Sequence, residues 1–457
     1  MSTRVGDDGK ALSQSRDDRQ TRLEAGRQRR KDVARRHQSA WTVQPDRTVP
    51  LDILRAQGRA RIPELLPIRY QRMRASAFAF LRGAAAVMAA DVARTPTARL
   101  GVQACGDCHL ANFGTFTSPE GAPVFDINDF DETAAAPFEW DVKRLATSFV
   151  LAARERGATT GEARYLAACA ARHYAREMRV LAWQAPLAGW SVRSDLGAAI
   201  ETIRPPRRRA RVRDHLQQQV QSAASQFGLL GTDMRVPRFR DRPPLVMRLP
   251  EHDTRIRTAF ARYLESLPAE RRLLLERYAL RDVIFKVVGV GSVGTYCAIG
   301  LFTTADGQPL LLQIKEASAS VLEPFAGPSP YANGGERVVT GQRIMQATPD
   351  MFLGWTHEPD QAGQQARHFY VRRMKDGRMA QIGEMMEAEG LRNYAQLCGR
   401  TLARAHARSG DAALISGYTG RGRRFSYAIA EFALRYARQT HEDWTVFCAA
   451  LDNGVLA

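Results

Sequence analysis

The chain of 457 residues carries 66 Lys and Arg against 48 Asp and Glu, a net charge of +18, with 44% apolar residues. That length holds two or three domains or one large two-lobed enzyme, and the apolar share is enough for a sizeable core. No apolar run reaches the ~18 residues of a spanning helix, because residues 75–92 are interrupted by Ser76, Arg82 and Asp91.

The first fifty residues are polar and Arg-rich, above all residues 27–36, and read as a basic disordered tail spanning 1–50. The first forty contain no apolar segment of secretory type, and the six cysteines read as reduced thiols, so the expected location is cytoplasmic. Cys105-Gly106-Asp107-Cys108-His109 matches the string of c-type haem attachment, yet no export signal accompanies it. Cys169, Cys297, Cys398 and Cys448 are isolated, so a second pair of zinc ligands is missing. Small buried thiols are the plainer account.

Residues 68–92 read as one helix, 124–127 as a short strand, and 139–156 as a helix with Val142, Leu145, Phe149 and Val150 at helical spacing. Thr159 with Glu162 forms a capping box for the next helix. Residues 185–265 are Pro- and Arg-rich and suggest connections between helices. Within them, the arginine run 204–213 reads as a loop entering a helix. Lacking interleaved aromatics, it fits a solvated face or an anion site better than a nucleic-acid surface. Then Val283-Ile-Phe-Lys-Val-Val288 and Thr295-Tyr-Cys-Ala-Ile-Gly-Leu-Phe302 read as strands around Gly289-Val-Gly291-Ser292-Val-Gly294. Asp306-Gly307 signals a hairpin turn into a strand at 310–315. A helix is expected at 335–347, a strand at 368–374, and helix from Leu391 until Ser409-Gly410.

Two segments concentrate the chemistry. Gly106-Asp107-Cys108-His109-Leu110-Ala111-Asn112 and Asp126-Ile127-Asn128-Asp129-Phe130-Asp131 gather carboxylates, carboxamides and an imidazole at a density that turns do not need. Hard oxygen ligands of this kind suit a divalent cation. The glycines at 289, 291 and 294 fall between two strands rather than between a strand and a helix. That disfavours a dinucleotide fold and fits a loop laid over nucleotide phosphates; an unliganded Gly-rich hairpin is the alternative. Lys315, on the following strand, alternates away from Leu310, Leu312 and Ile314.

Gly106-Asp107-x-His109-x-x-Asn112 resembles the catalytic loop of aminoglycoside and choline kinase-like enzymes, with Cys105 where those enzymes carry a leading histidine. Asp129-Phe130-Asp131 and Asp141-Val142-Lys143 resemble their following metal-binding and helix-start segments. The resemblance implies Asp107, with His109, as the catalytic group acting on an acceptor hydroxyl. It implies Asn112 and Asp129 as magnesium ligands, Asp126 as the alternative to Asp129, Asp131 in the same cluster, and Asp141 as an anchor. Gly289, Gly291, Ser292, Gly294 and Lys315 would hold ATP, with Glu336 orienting the lysine and Glu323 as the alternative. Because the Gly-rich segment follows the catalytic loop, the implied fold is α+β, two-lobed, protein kinase-like and circularly permuted. A small antiparallel β lobe (271–380) would join a large helical lobe (51–270 and 381–457). The segment from Gly399 through His406 to Asp411 resembles the helix that leads into the catalytic loop in unpermuted relatives.

Residues from about 45 to 445 also resemble a bacterial family of unknown function, DUF2252. The match is carried by 106–115, Asn128-Asp-Phe-Asp-Glu-Thr133, Trp140-Asp-Val-Lys-Arg-Leu145, 287–294 and Gln313-Ile-Lys-Glu-Ala317. The expected function is an ATP- and Mg2+-dependent phosphotransferase whose partners are a nucleotide and a hydroxyl-bearing acceptor. A non-catalytic nucleotide-binding protein and a metal-dependent phosphoesterase are the alternatives.

Overall fold

The computed structural model describes residues 16–195, 238–248, 250–358, 366–374 and 388–456, with 206, 210 and 229 as single positions. Helices α1 (Arg19–Asp32), α2 (Pro50–Gly58), α3 (Leu66–Arg74), α4 (Ala77–Gly83) and α5 (Ala85–Val92) precede strand β1 (Gly101–Ala104). Then come β2 (Phe113–Thr117), β3 (Pro123–Ile127), β4 (Ala134–Pro137), α6 (Phe138–Glu155) and α7 (Thr160–Leu181). After β5 (Ser194–Asp195), β6 (Val246–Met247) and α8 (Pro250–Tyr263) come β7 (Ala279–Lys286), β8 (Cys297–Thr303) and β9 (Pro309–Glu316). Helix α9 (Gly334–Met345), β10 (Gly354–His357), β11 (His368–Arg373), α10 (Ala388–Ser409), α11 (Ala412–Thr419) and α12 (Arg423–Asp452) complete the order.

The architecture is mixed α+β with small antiparallel sheets. Six strands pair in the order β10-β11-β9-β8-β7-β6, while β1 pairs with β4 and β2-β3-β5 form a third sheet. Helices α6, α7, α10 and α12 share one large apolar core, and the six-stranded sheet has its own. Helix α6 is buried around almost its whole circumference, charged residues included. Each of those charges has at least one hydrogen-bond partner, as burial demands, although Glu139 Oε2 is left without a donor among the described residues. Glu139 accepts from the Ala98 amide (2.6 Å) and Lys143 donates to Thr95 Oγ1 (2.8 Å). The capping box at Thr159 and Glu162 is present.

Three expectations are corrected. Residues 68–92 are not one helix but parts of three, because Ser76 is extended and caps α4 through the Ala79 amide (3.0 Å), and Ala84 leaves the helical region. Within the expected disordered tail, residues 19–32 form α1, which docks on α11. Gly26 and Gly417 allow that approach, since a Cβ on Gly26 would lie 2.1 Å from the Leu414 carbonyl. Arg22 pairs with Asp411 (3.0 Å) and Arg30 donates to the Tyr418 carbonyl (3.0 Å), so part of the positive charge is tertiary structure. Helix α8, placed by sequence in the helical lobe, packs on the sheet instead, with Phe260 against Phe302 at 5.3 Å. The arginines of the 204–213 run lie outside the described residues.

Candidate active site

Strand pairing brings the two chemical segments together. Ala104 lies opposite Ala134 in the β1–β4 pair, and Phe113 opposite Ile127 in the β2–β3 pair. The loops 105–112 and 128–133 therefore leave and enter the same sheet ends, and the Asn128 amide donates to the Asn112 carbonyl (2.8 Å). Gly106 has φ +83°, and a Cβ there would lie 2.2 Å from the Glu132 carbonyl, so the crossing of the loops requires glycine.

Asp141 holds the first loop from beneath. Its carboxylate accepts from the Cys105 amide (2.6 Å), the Gly106 amide (3.0 Å) and His406 Nε2 (3.0 Å). His406 reaches in from α10, and its Nδ1 meets the Tyr174 hydroxyl at 3.0 Å. All three side chains are buried. Asp141→Ala is expected to cost about 3–5 kcal/mol in urea unfolding, because it strands two amides and an imidazole at once. A loss within 1 kcal/mol, on the order of a surface mutation, would show that the loop holds itself.

Asp107 stands at the loop's tip. Its Oδ1 accepts from Arg144 Nε (2.6 Å), and its Oδ2 lies 3.6 Å from His109 Nε2. Burial pushes the Asp107 carboxyl up to about 7, against the pull of Arg144. His109 is held well below its usual range by burial, reinforced by Arg82 and Arg144, and so stays a neutral imidazole. Cys105 and Cys108 are free, buried thiols.

The second loop faces the sheet. Lys315 Nζ, on β9 and buried, lies 2.6 Å from Asp131 Oδ2 and 3.5 Å from Asp129 Oδ1. Asp131 Oδ1 accepts from the Tyr370 hydroxyl (2.5 Å), so both of its oxygens are engaged by protein groups. Burial pushes the Asp129 carboxyl up, but Lys315 and Arg372 outweigh it and hold it below the usual range, ionised. Its side chain is 37% exposed towards the cleft, yet the buried Oδ1 has no hydrogen-bond donor among the described residues. An ionised buried oxygen without a donor is where a cation fits. Asn112 donates its amide nitrogen to the Asp107 carbonyl (2.6 Å), which leaves the amide oxygen as the group it can offer. Among the described residues no group of three His, Cys, Asp or Glu is preassembled for a metal. Two oxygens suit an ion that keeps most of its own water.

The glycine-rich hairpin joins β7 to β8, as read from the sequence, and closes the cleft from above. A cavity of about 240 Å³ is lined by both loops, by Gly289, Gly291 and Ser292, and by Arg61 and Arg82. A Cβ on Gly291 would lie 3.2 Å from the Arg82 carbonyl and 4.0 Å from Asp107 Oδ2. Gly294 is outside the lining. It packs on the Arg61 side chain, and its carbonyl accepts from the Ile62 amide (2.8 Å).

Lys315 is likewise outside the lining, which it touches through Asp129 and Asp131, and two further residues expected at the site lie elsewhere. Asp126, on β3, accepts from the Ile127 amide (2.9 Å), acts electrostatically on Arg408 and does not line the cleft. Glu336, half-buried, also stands outside it, because α9 turns the next residue inwards. Arg337 donates to the carbonyls of Asp131 (2.8 Å) and Ser318 (2.7 Å), and Asp131 takes the lysine-orienting place expected of Glu336. The other candidate, Glu323, lies 3.7 Å from Arg337. Sequence reading missed Arg61, Arg82, Arg144 and Arg372. Among 66 basic residues, no local signature marks these four.

A mixed α+β protein with a composite polar cleft is thus defined, in which a Gly-rich hairpin, a buried lysine and an Asn–Asp pair converge. A family model described as "Uncharacterized protein conserved in bacteria (DUF2252)" matches residues 61–450. The chain belongs to that family. No curated protein and no solved structure matches it.

Proposed function

We propose that the chain is a kinase-like phosphotransferase, circularly permuted, that uses ATP and magnesium to phosphorylate a hydroxyl-bearing acceptor. One observation carries this reading: Lys315 Nζ, buried just behind the lining, stands 3.5 Å from Oδ1 of Asp129, which lines the cleft roofed by the Gly-rich hairpin. A lysine that grips phosphates and a carboxylate that holds their counter-cation have to be neighbours, since both act on one triphosphate. In this reading the 289–294 backbone lies over the phosphates, and Arg61 and Arg82 add charge beside them. Asn112 and Asp129 would hold magnesium, which neutralises charge on the transferred phosphoryl group when bound. Asp131 keeps Lys315 extended. Asp107 accepts the proton of the acceptor hydroxyl. The cavity of about 240 Å³ is below the ~300–1,000 Å³ of small-molecule sites. Admission of ATP therefore goes with lifting of Gly291 from the Arg82 carbonyl, about glycines 289 and 294 with φ +67° and +90°.

Asp107→Asn is expected to keep ATP affinity within about threefold while slowing phosphoryl transfer by ~10²-fold or more. Since the acceptor is unknown, the readout is slow ATP hydrolysis or autophosphorylation by purified protein. Wild-type turnover should rise with pH along a limb centred at or below about 7, because the carboxylate acts only when deprotonated. Absence of adenine-nucleotide binding at millimolar concentration rejects the proposal.

A second reading, nucleotide binding without turnover, is supported by the Arg144 clamp on Asp107 Oδ1 and by Cys105 in place of the loop histidine. ATP binding by calorimetry, with turnover absent in the wild type and unchanged in Asp107→Asn, would select it.

A further inference from the structure

Remote from the cleft, α1, the turn after it and the start of α12 enclose a larger cavity of about 1180 Å³, walled by Arg30, Arg35, Arg36, Arg423, Arg424 and Arg435. A neighbouring cavity of about 500 Å³ shares Arg30, Arg35, Arg423 and Arg424 with it and adds Arg27, Arg179 and Arg421. The shared walls make one basic channel. Among the described residues Glu431 is the only carboxylate in either lining, and it pairs with Arg164 (2.9 Å). Arg30 and Arg35 are pinned by backbone carbonyls, of Tyr418 (3.0 Å) and Thr419 (3.2 Å), which orient the charge without neutralising it. Burial and mutual repulsion with neighbouring arginines lower the affinity of both for their protons. Helix α12 opens into the channel with no side-chain cap, which leaves first-turn amides for an anion.

Two exposed aromatic side chains complete the channel. Tyr427, 63% exposed, lines only the first cavity, and Trp183, 60% exposed, lines only the second. Arg19 stacks on the Trp183 ring at 4.9 Å.

We propose that this channel binds single-stranded nucleic acid, with the arginines on successive phosphates and Tyr427 and Trp183 as stacking platforms for bases. Arg27 pairs with the exposed Glu24 (2.8 Å), but among the described residues the other channel arginines have no carboxylate within 4.0 Å; such a surplus calls for a polyanion, and exposed aromatic rings beside it call for a polyanion with flat bases. Polyphosphate offers nothing to stack, and a bilayer surface does not enter a concave channel. Bases must be unpaired to lie on side-chain rings, which selects the single strand. None of these residues lines the candidate active site, so the proposal stands apart from the phosphotransferase reading.

The test is fluorescence anisotropy of the full chain with labelled oligo(dT) and mixed-sequence RNA of about twelve nucleotides, within the ~4–16-nucleotide span of such sites. Binding should weaken with salt, with a slope of roughly −0.7 per phosphate contacted. The double variant Arg423→Glu/Arg424→Glu should bind at least tenfold more weakly, with a shallower slope and an unchanged thermal midpoint. Tyr427→Ala and Trp183→Ala should each lose about fivefold or more for oligonucleotide, and nothing for polyphosphate of equal length. The proposal is overturned by absence of binding at about 50 mM salt, where phosphate contacts are strong, or by indifference to the arginine pair. It is equally overturned if the aromatic variants bind normally, if polyphosphate competes as well as oligonucleotide, or if phosphatidylglycerol vesicles bind more tightly.

Discussion

Lys315→Met should lower stability by about 3–5 kcal/mol and weaken Mg-ATP binding by more than about a hundredfold. Lys315 Nζ is the cation between Asp131 (2.6 Å) and Asp129 (3.5 Å), and its side chain is only 2% exposed. Its removal leaves two neighbouring carboxylates with only the more distant charges of Arg372, Arg337 and Arg61 acting on them among the described residues, and breaking a buried pair from one side costs far more than the pair is worth. Structural and ligand-binding roles separate in a double-mutant cycle. Lys315→Met/Asp131→Asn should recover about 1–3 kcal/mol relative to Lys315→Met, because the stranded charge is gone. It should recover no nucleotide affinity, since the cation for the phosphates is still missing. Glu336→Gln should leave both quantities unchanged. Urea unfolding and calorimetry on the same preparations decide it. A Lys315→Met protein as stable as the wild type, or one that binds Mg-ATP normally, would defeat the assignment.

What the sequence made legible was local. The Gly106–Asn112 and Asp129–Asp131 segments could be picked out because their chemistry is contiguous. The hairpin at 289–294 could be read because β-branched strands flank it. Partner choice between distant segments left no such trace. The Lys315 partner falls 184 residues away at Asp131, and the Asp141 partner 265 residues away at His406. Glu336 was the nearest acid on the next helix. One residue of helical rotation gives that position to Arg337, and sequence spacing cannot supply that phase without knowing which face packs. The amino-terminal helix was hidden for another reason. Its composition is that of a solvated tail, and the features that dock it, Gly26 against Gly417 and arginines on α11 carbonyls, acquire meaning only once both helices are in place. The exposed Tyr427 and Trp183 likewise join the basic amino-terminal segment only in three dimensions.

Asp129→Ala should abolish the magnesium dependence of nucleotide binding while leaving the protein folded. In the wild type, ATP affinity measured by calorimetry should rise about tenfold or more when magnesium is added, an expectation from the share of phosphate charge that such ions carry. Without nucleotide, magnesium should bind only weakly, because the Asp129 and Asn112 oxygens leave most of its octahedral shell to water. The variant removes the cleft carboxylate whose buried oxygen has no hydrogen-bond donor among the described residues, so ATP should bind it equally with and without the metal. Stability should fall less than in Lys315→Met, since Asp131 still pairs with Lys315 at 2.6 Å. Asp126→Asn is the internal control. Its carboxylate accepts from the Ile127 amide and does not line the cleft, so magnesium dependence should persist there. If Asp126→Asn loses that dependence and Asp129→Ala keeps it, the ligand belongs to the strand rather than the loop. The orphaned oxygen of Asp129 would then need another explanation, with Lys315, 3.5 Å away, to supply one.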